Sequence, residues 1–76
     1  MKNFTYMGKS YQLVKNASYN LLLLMKLAKE VTECEEIINF INSKPSGYDN
    51  DIYIMAITHI NKCESIMQNI LTNCTN

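Results

Sequence analysis

Two long stretches of the chain repeat apolar residues at the spacing of an α-helix. In the first, apolar positions recur every three or four residues from Leu21 to Ile41. The second begins near Asp51, and its apolar repeat consists of Tyr53, Ala56, Ile60, Cys63, Met67, Ile70 and Cys74. Proline and glycine in the connecting segment end the first helix and favour a turn. The pattern predicts an antiparallel helical hairpin.

The residues before the first helix have a weaker pattern. Residues 1–8 are expected to form an extended or loosely ordered arm, in which Phe4 and Tyr6 can pack against a neighbour. Ser10 is placed to cap a short helix from Tyr11 to Lys15. Asparagine and serine favour a kink or a break near residues 16–20, with an unbroken helix as the alternative. We predict one all-α domain over residues 1–76, with an arm at 1–8, a first helical segment at 10–44, a turn at 45–50 and a second helix at 51–73.

The first helix carries more apolar residues than one packing partner covers. Residues 21–25 are all apolar, and on a helix they point in every direction. The run is too short to cross a bilayer, which needs about 20 apolar residues, so no membrane partner is expected. A chain of 76 residues builds only a small core, and self-association is a common remedy. We expect a homo-oligomer whose interface includes Leu22, Leu23, Met25 and Phe40.

Disulfides and metals are the other ways to stabilise so small a domain, and neither is expected. The cysteines are odd in number and no secretory signal is recognisable, so a reducing cytoplasm is the expected setting. Cys34 and Cys63 fall on facing positions of the two helices. The favoured interpretation is that they pack as small hydrophobic residues, and the alternative is that they form a reversible disulfide. One histidine, His59, and three scattered cysteines match no metal-ligand spacing. No metal and no cofactor are predicted.

The net charge is zero, but its distribution along the chain is uneven. Residues 1–29 contain five lysines and no acidic residue, whereas the seven acidic residues all lie from Glu30 onward with only two lysines. This asymmetry suits an anionic ligand at the N-terminal end or head-to-tail self-association, and helix-dipole matching by chance is the plainer alternative. The chain has no arginine, and a DNA-binding domain should be more basic, so DNA binding is not expected.

The residues with chemical potential point to binding rather than to catalysis. His59 has no nucleophile or orienting group at a spacing typical of an active site, so the protein is predicted not to be an enzyme. The ring of Tyr11 can stack on a base, and the ammonium of Lys26 can meet a phosphate. An unbroken helix would separate them by about 22 Å, so they meet only if the chain folds back or if two protomers contribute. The alternative is that Tyr11 packs in the arm and Lys26 is simply solvated.

These residues also carry a resemblance to a known family. From about residue 9 to its end, the chain resembles the phage anti-CBASS sponge family and the related hairpin domain of anti-Thoeris sponges. The resemblance rests on Tyr11, on Lys26, and on the segment KPSGYDNDIYIMAITHINKCESIMQNIL, in which Ala56, Thr58 and Ile60 open the last helix. Members of this family are helical, non-enzymatic homo-oligomers, typically hexamers, that sequester cyclic dinucleotides between protomers.

The resemblance implies a function and a set of ligand-binding residues. By the resemblance, Tyr11 would stack on a base and Lys26 would meet a phosphate. Gln12, Asn16 and Lys29 are not part of the resemblance and are added as candidate polar neighbours of these two residues. The protein would act in the host cytoplasm as a phage protein that binds cyclic dinucleotides such as 3′,3′-cGAMP without cleaving them. Activation of the CBASS effector would thereby be prevented.

Two further expectations limit this interpretation. Some family members also bind cyclic trinucleotides through an arginine and a threonine, but this chain has no arginine and has Ala28 in place of the threonine. Trinucleotide binding is therefore expected only if Lys29, Lys62 or backbone groups substitute. The competing hypothesis belongs to another class: a small helical module that binds a host or phage protein. In that case Leu22, Leu23 and Phe40 would form the working surface.

Overall fold

The computed structural model describes residues 2–43 and 50–75, which form two β-strands followed by two α-helices. Strand β1 is Lys2–Tyr6, strand β2 is Lys9–Leu13, helix α1 is Ala17–Asn42 and helix α2 is Asn50–Cys74. The prediction of two long helices is confirmed. The prediction of an all-α fold is wrong, because the N-terminal lead is a β-hairpin. The turn predicted at 45–50 lies, apart from its last residue, outside the described residues.

The two strands pair antiparallel around a two-residue loop, with Phe4 opposite Tyr11. The loop residues Met7 and Gly8 both have positive φ, at 52° and 79°, as do the central residues of a type I′ turn. Glycine adopts this conformation without strain, and the turn matches the right-handed twist of the strands. Residues 10–13, expected to begin the first helical segment, are therefore part of a strand.

The chain changes direction between strand β2 and helix α1. Asn16 has φ 43° and ψ 48°, a left-handed conformation that asparagine tolerates better than most residues. Asn20 is buried in the first turns of the helix, and its side-chain amide donates to the carbonyl of Lys15 at 2.8 Å. The break therefore falls before Ala17, and from there the helix continues to Asn42.

The hydrophobic core lies where the β-hairpin packs on both helices. Its buried members are Phe4, Leu13, Leu24, Leu27, Val31, Cys63, Met67 and Leu71. The end of the chain closes the same region, because the amide of Val14 donates to the carbonyl of Cys74 at 2.8 Å and Leu13 pairs with Thr75. The β-hairpin is thus part of the core, and the N-terminal arm is extended over Lys2–Tyr6 rather than loosely ordered.

The long apolar repeats of both helices face inward. Every residue of the α2 repeat predicted from the sequence is buried or half-buried. The molecule is elongated, 48 × 18 × 16 Å, so each helix also keeps a long outward surface. Within the described ranges, neither helix combines the length and the hydropathy needed to cross a membrane.

Candidate functional site

Tyr11 lies on the face of the β-hairpin that packs toward the helices. It shares this face with Phe4 across the hairpin and with Leu13 along the strand. Its ring is half-buried against the core, and the ammonium of Lys9 lies 5.2 Å from the ring centroid, within cation–π range. A ligand can stack only on the part of the ring that Lys9 and the core leave open.

Gln12 lies on the opposite face of the same strand. Successive side chains of a strand alternate between its two faces, and Gln12 is exposed opposite Asn3. Asn16 is also exposed, and its backbone forms the left-handed residue before helix α1. Within one protomer, the structure therefore does not bring Tyr11 and Gln12 to the same side of the hairpin.

Lys26 and Lys29 are neighbours on the outward surface of helix α1. Both are exposed, and residues three apart on a helix have Cβ atoms about 5–6 Å apart. The inward side of the same segment is formed by Leu24, Leu27 and Val31, which are buried. The chain does fold back between Tyr11 and Lys26, but Tyr11 packs toward the core and the lysines point away from it. Within one protomer the fold therefore does not bring Tyr11 and the lysines to one surface.

Three of the four residues expected at a subunit interface are accessible to a partner. Leu22, Met25 and Phe40 retain 68%, 54% and 63% of their accessible surface. Leu23 is half-buried and packs against the core, so it is less suited to an interface than expected. Ile37 is a further exposed apolar residue of the same helix.

The outward side of α1 combines apolar and charged residues in a symmetric order. We call it the outer α1 face, and it consists of Leu22, Met25, Lys26, Lys29, Glu33, Glu36, Ile37 and Phe40, all exposed. Lysines occupy its N-terminal half and glutamates its C-terminal half. The order is symmetric about residue 31, because residues equally far from it on its two sides match in character: both are apolar, or they carry opposite charges. The pairs are Leu22 and Phe40, Met25 and Ile37, Lys26 and Glu36, and Lys29 and Glu33. The face is therefore complementary to itself when its direction is reversed.

The lysines of the first part of the chain are exposed and not neutralised by an acidic neighbour. They are Lys2, Lys9, Lys15, Lys26 and Lys29, and within ranges 2–43 and 50–75 none of them forms an ion pair. Glu64, an acid near the β-hairpin, instead accepts a hydrogen bond from the hydroxyl of Tyr6 at 3.1 Å. Burial raises the pKa of Tyr6, and the bond to Glu64 raises it further. The N-terminal half thus keeps an uncompensated positive charge.

A cluster of three potential metal ligands lies between the two helices. The Nε2 atom of His59 is 3.1 Å from Oε1 of Glu30 and 3.5 Å from Sγ of Cys63. The three ligand atoms all lie within 4.8 Å of one another. His59 and Cys63 are four residues apart on α2 and so share one side of that helix, whereas Glu30 reaches across from α1. Cys63 is buried and His59 is exposed, so the cluster opens to solvent on one side.

This cluster does not have the geometry of an activated thiol. A catalytic triad uses both nitrogens of its imidazole, but here Nε2 faces both Glu30 and Cys63. Cys63 retains only 2% of its accessible surface, which leaves no room for a substrate at the sulfur atom. Burial raises the pKa of the Cys63 thiol, and the charge of Glu30 raises it further, so the thiol carries its proton at neutral pH.

An apolar groove lies beside the cluster, farther from the β-hairpin. It is lined by Cys34, Ile37, Ile52, Met55, Ala56 and His59. Its rim residues Ile37, Ile52 and Met55 are exposed. Through Ile37 the groove borders the outer α1 face, so the accessible apolar surface of the molecule extends from one helix to the other.

No protein-family model matches the chain, and no match is found among the curated proteins or the solved structures compared with it. The resemblance to the sponge family therefore depends on the residues quoted for it above.

The cluster at His59 is not among the sites predicted from the sequence. The spacing of four between His59 and Cys63 places two metal-ligating side chains one helical turn apart, and it is visible in the sequence. Glu30 is not identifiable in the same way, because its contact with His59 depends on how the two helices are aligned. Four glutamates lie within residues 30–36, and their spacing alone does not single out the one that meets α2.

Proposed function

We propose that the protein is a non-catalytic, self-associating protein that sequesters cyclic dinucleotides. The observation that carries the proposal is that exposed apolar residues share one surface, the outer α1 face, with lysines that form no ion pair within the described part of the protomer. An apolar interface and an anionic ligand then involve the same region of the molecule. The resemblance to cyclic-dinucleotide sponges adds the class of ligand.

The self-complementary order of the outer α1 face supports its pairing with a second copy. Two α1 helices that lie antiparallel, with a two-fold axis near residue 31, bring Leu22 of one copy opposite Phe40 of the other. The same arrangement places Met25 and Ile37 along the two edges of this contact, and it puts each lysine of the face within reach of a glutamate of the other copy. Isologous interfaces require this kind of self-complementarity, because both partners use the same patch.

The position of Lys26 suits a ligand held at the edge of this interface. At about 100° per residue, Lys26 lies some 40° from the line that joins Leu22 and Phe40, so its ammonium remains at the solvent-exposed edge. An exposed ion pair with Glu36 of the other copy contributes only about 0.2–1 kcal/mol, and a phosphate can replace it. A cyclic dinucleotide has two phosphates and two bases, so a two-fold assembly offers it two equivalent lysines.

Tyr11 contributes to the proposed site from the β-hairpin. Its strand is anchored in the core by Leu13, and the buried Phe4 lies opposite Tyr11 on the paired strand, so the ring is held in place before any ligand binds. Stacking of an aromatic side chain on a base contributes about 1–3 kcal/mol. Gln12 was a ligand-binding candidate from the sequence, but it lies on the other face of the strand. We therefore do not expect it to contact the ligand that stacks on Tyr11.

Isothermal titration with 3′,3′-cGAMP, followed by proteolysis and chromatography of the released ligand, tests the proposal. Binding with intact ligand recovered is the expected result. Tyr11→Ala should weaken binding by about 1–3 kcal/mol per stacked base, whereas Gln12→Ala, on the same strand, is the matched control and should bind normally. Recovery of a linear product would make the protein an enzyme, and silence toward every cyclic dinucleotide would overturn the proposal.

A second candidate function is a small helical module that binds a host or phage protein. The apolar groove and its exposed rim favour it, since large exposed apolar patches often mark protein-binding sites. Such a module would bind no cyclic dinucleotide and would be a monomer or a simple dimer in solution. A sponge should instead form a closed multimer, such as a hexamer built from α1-paired dimers, which light scattering distinguishes.

A further inference from the structure

The cluster between the helices has the composition of a transition-metal site. We propose that Glu30, His59 and Cys63 bind one Zn²⁺-class ion that links helix α1 to helix α2. An imidazole nitrogen, a carboxylate oxygen and a thiolate are all common zinc ligands. Calcium and magnesium prefer sites made of oxygen atoms alone, so this set of donors favours zinc or cobalt over them.

The distances between the ligand atoms fit a tetrahedral ion. Bonds of about 2.0–2.1 Å to nitrogen and oxygen and about 2.3 Å to sulfur place neighbouring ligand atoms about 3.3–3.6 Å apart. The nitrogen–oxygen and nitrogen–sulfur distances of the cluster are 3.1 Å and 3.5 Å. The oxygen and the sulfur lie within 4.8 Å of each other, and a small rotation of the partly exposed Glu30 side chain shortens that distance.

The charges of the three ligands also suit a divalent cation. The carboxylate of Glu30 and the thiolate of Cys63 supply two negative charges, and His59 binds as the neutral imidazole. The Cys63 thiol releases its proton to solvent as the sulfur–metal bond forms, so one proton is lost for each ion bound. Three protein ligands leave the fourth position of a tetrahedral ion to water, on the side where His59 is exposed.

A bound ion would stabilise the pairing of the two helices. One ligand comes from α1 and two come from α2, so the ion joins elements that meet only after the chain folds back. Binding energy at such a site is also folding energy, because the unfolded chain does not hold the three ligands together. Small domains often depend on such a link, because their cores are limited.

Titration with Co²⁺ and then Zn²⁺, on reduced protein without added thiol, tests the proposal. One equivalent of Co²⁺ per chain should produce a thiolate-to-metal absorption band and the strong visible absorption of a tetrahedral ion, and Zn²⁺ should displace it. Zn²⁺ should also raise the midpoint of thermal unfolding, and a chelator should reverse the rise. Absence of the cobalt band at one equivalent would overturn the proposal and leave a plain contact between Glu30 and His59.

Variants assign the ligands. His59→Gln keeps an exposed polar residue and should fold normally, and it should weaken Zn²⁺ binding by at least about 100-fold, since even outer-shell changes cost 10–100-fold. Cys63→Ser should abolish the thiolate band. Cys74→Ser and Glu35→Gln are matched controls outside the cluster and should bind Zn²⁺ as the parent does. Parent-like affinity of His59→Gln would show that the ion binds elsewhere, which would contradict the assignment.

Discussion

Exchanging the charges at the centre of the outer α1 face tests whether two copies pack through it. In the antiparallel arrangement, Lys29 of one copy faces Glu33 of the other, and the two-fold axis repeats the pair. Lys29→Glu therefore creates two glutamate–glutamate contacts per dimer, and Glu33→Lys creates two lysine–lysine contacts. The double variant places opposite charges together again at both positions and should recover the association of the parent.

The size of the effect follows from the exposure of both side chains. Lys29 and Glu33 are exposed in the protomer, so each attractive pair contributes about 0.2–1 kcal/mol. Reversal replaces this attraction by a repulsion of similar size, and symmetry counts the change twice. Either single variant should thus weaken dimerisation by about 1–4 kcal/mol, or about fivefold to several-hundredfold in dissociation constant. The effect should shrink as salt is added, because exposed charges are screened beyond about 8 Å at physiological ionic strength.

Sedimentation equilibrium at low salt measures the dissociation constants of the parent, the two single variants and the double variant. Lys62→Glu is the control, because it makes the same charge change on an exposed residue of α2, outside the outer α1 face. Circular dichroism verifies that each variant keeps its helices. Equal dissociation constants for parent and single variants, or a double variant as weak as either single one, would refute the pairing of these faces.

Three other predictions concern the fold, and chemical denaturation measures each. Leu13→Ala should lower the free energy of unfolding by about 2–5 kcal/mol, because Leu13 is fully buried; a hairpin that does not pack on the helices would give no such loss. Asn20→Ala should cost about 1–3 kcal/mol, since it leaves the Lys15 carbonyl without its donor, and an unchanged stability would show that water replaces the amide. Stability should fall as the pH rises above 10.0, because the raised pKa of Tyr6 means that the folded state holds this proton more tightly than the unfolded state. Tyr6 makes its full contribution to stability below the pKa that it has in the unfolded chain, and the contribution is lost as the pH rises through its higher pKa in the folded protein. Tyr6→Phe should therefore reduce the loss of stability at alkaline pH.

The helices were predictable because each has an apolar repeat long enough to exclude other periods. The repeat from Tyr53 to Cys74 alternates three and four without interruption, and the structure buries or half-buries all of it. The start of α1 was less clear, because Asn16 and Asn20 fit a cap, a kink or a turn equally well. The left-handed backbone of Asn16 and the bond from Asn20 to Lys15 decide among these, and both depend on where strand β2 ends.

The β-hairpin was not predictable from local pattern in the same way. Each strand begins with a lysine on its inward face and then has only two apolar residues there, so the period-two signal is weak. The loop Met7-Gly8 also lacks the asparagine–glycine pair that marks many two-residue hairpins. Two strands of five residues are marginal alone, and here they are stabilised by packing on helices that come later in the chain.

The hairpin also changes what the apolar surplus of residues 21–25 means. From the sequence, the surplus beyond one packing surface was assigned to a subunit interface. In the structure the β-hairpin supplies a second packing surface within the chain, and Leu23 is half-buried against the core. What remains outward is Leu22 and Met25, on the same side as Lys26. An interface built on so small an apolar area needs the complementary charges beside it, so partner choice should depend on salt and on charge order more than on hydrophobicity.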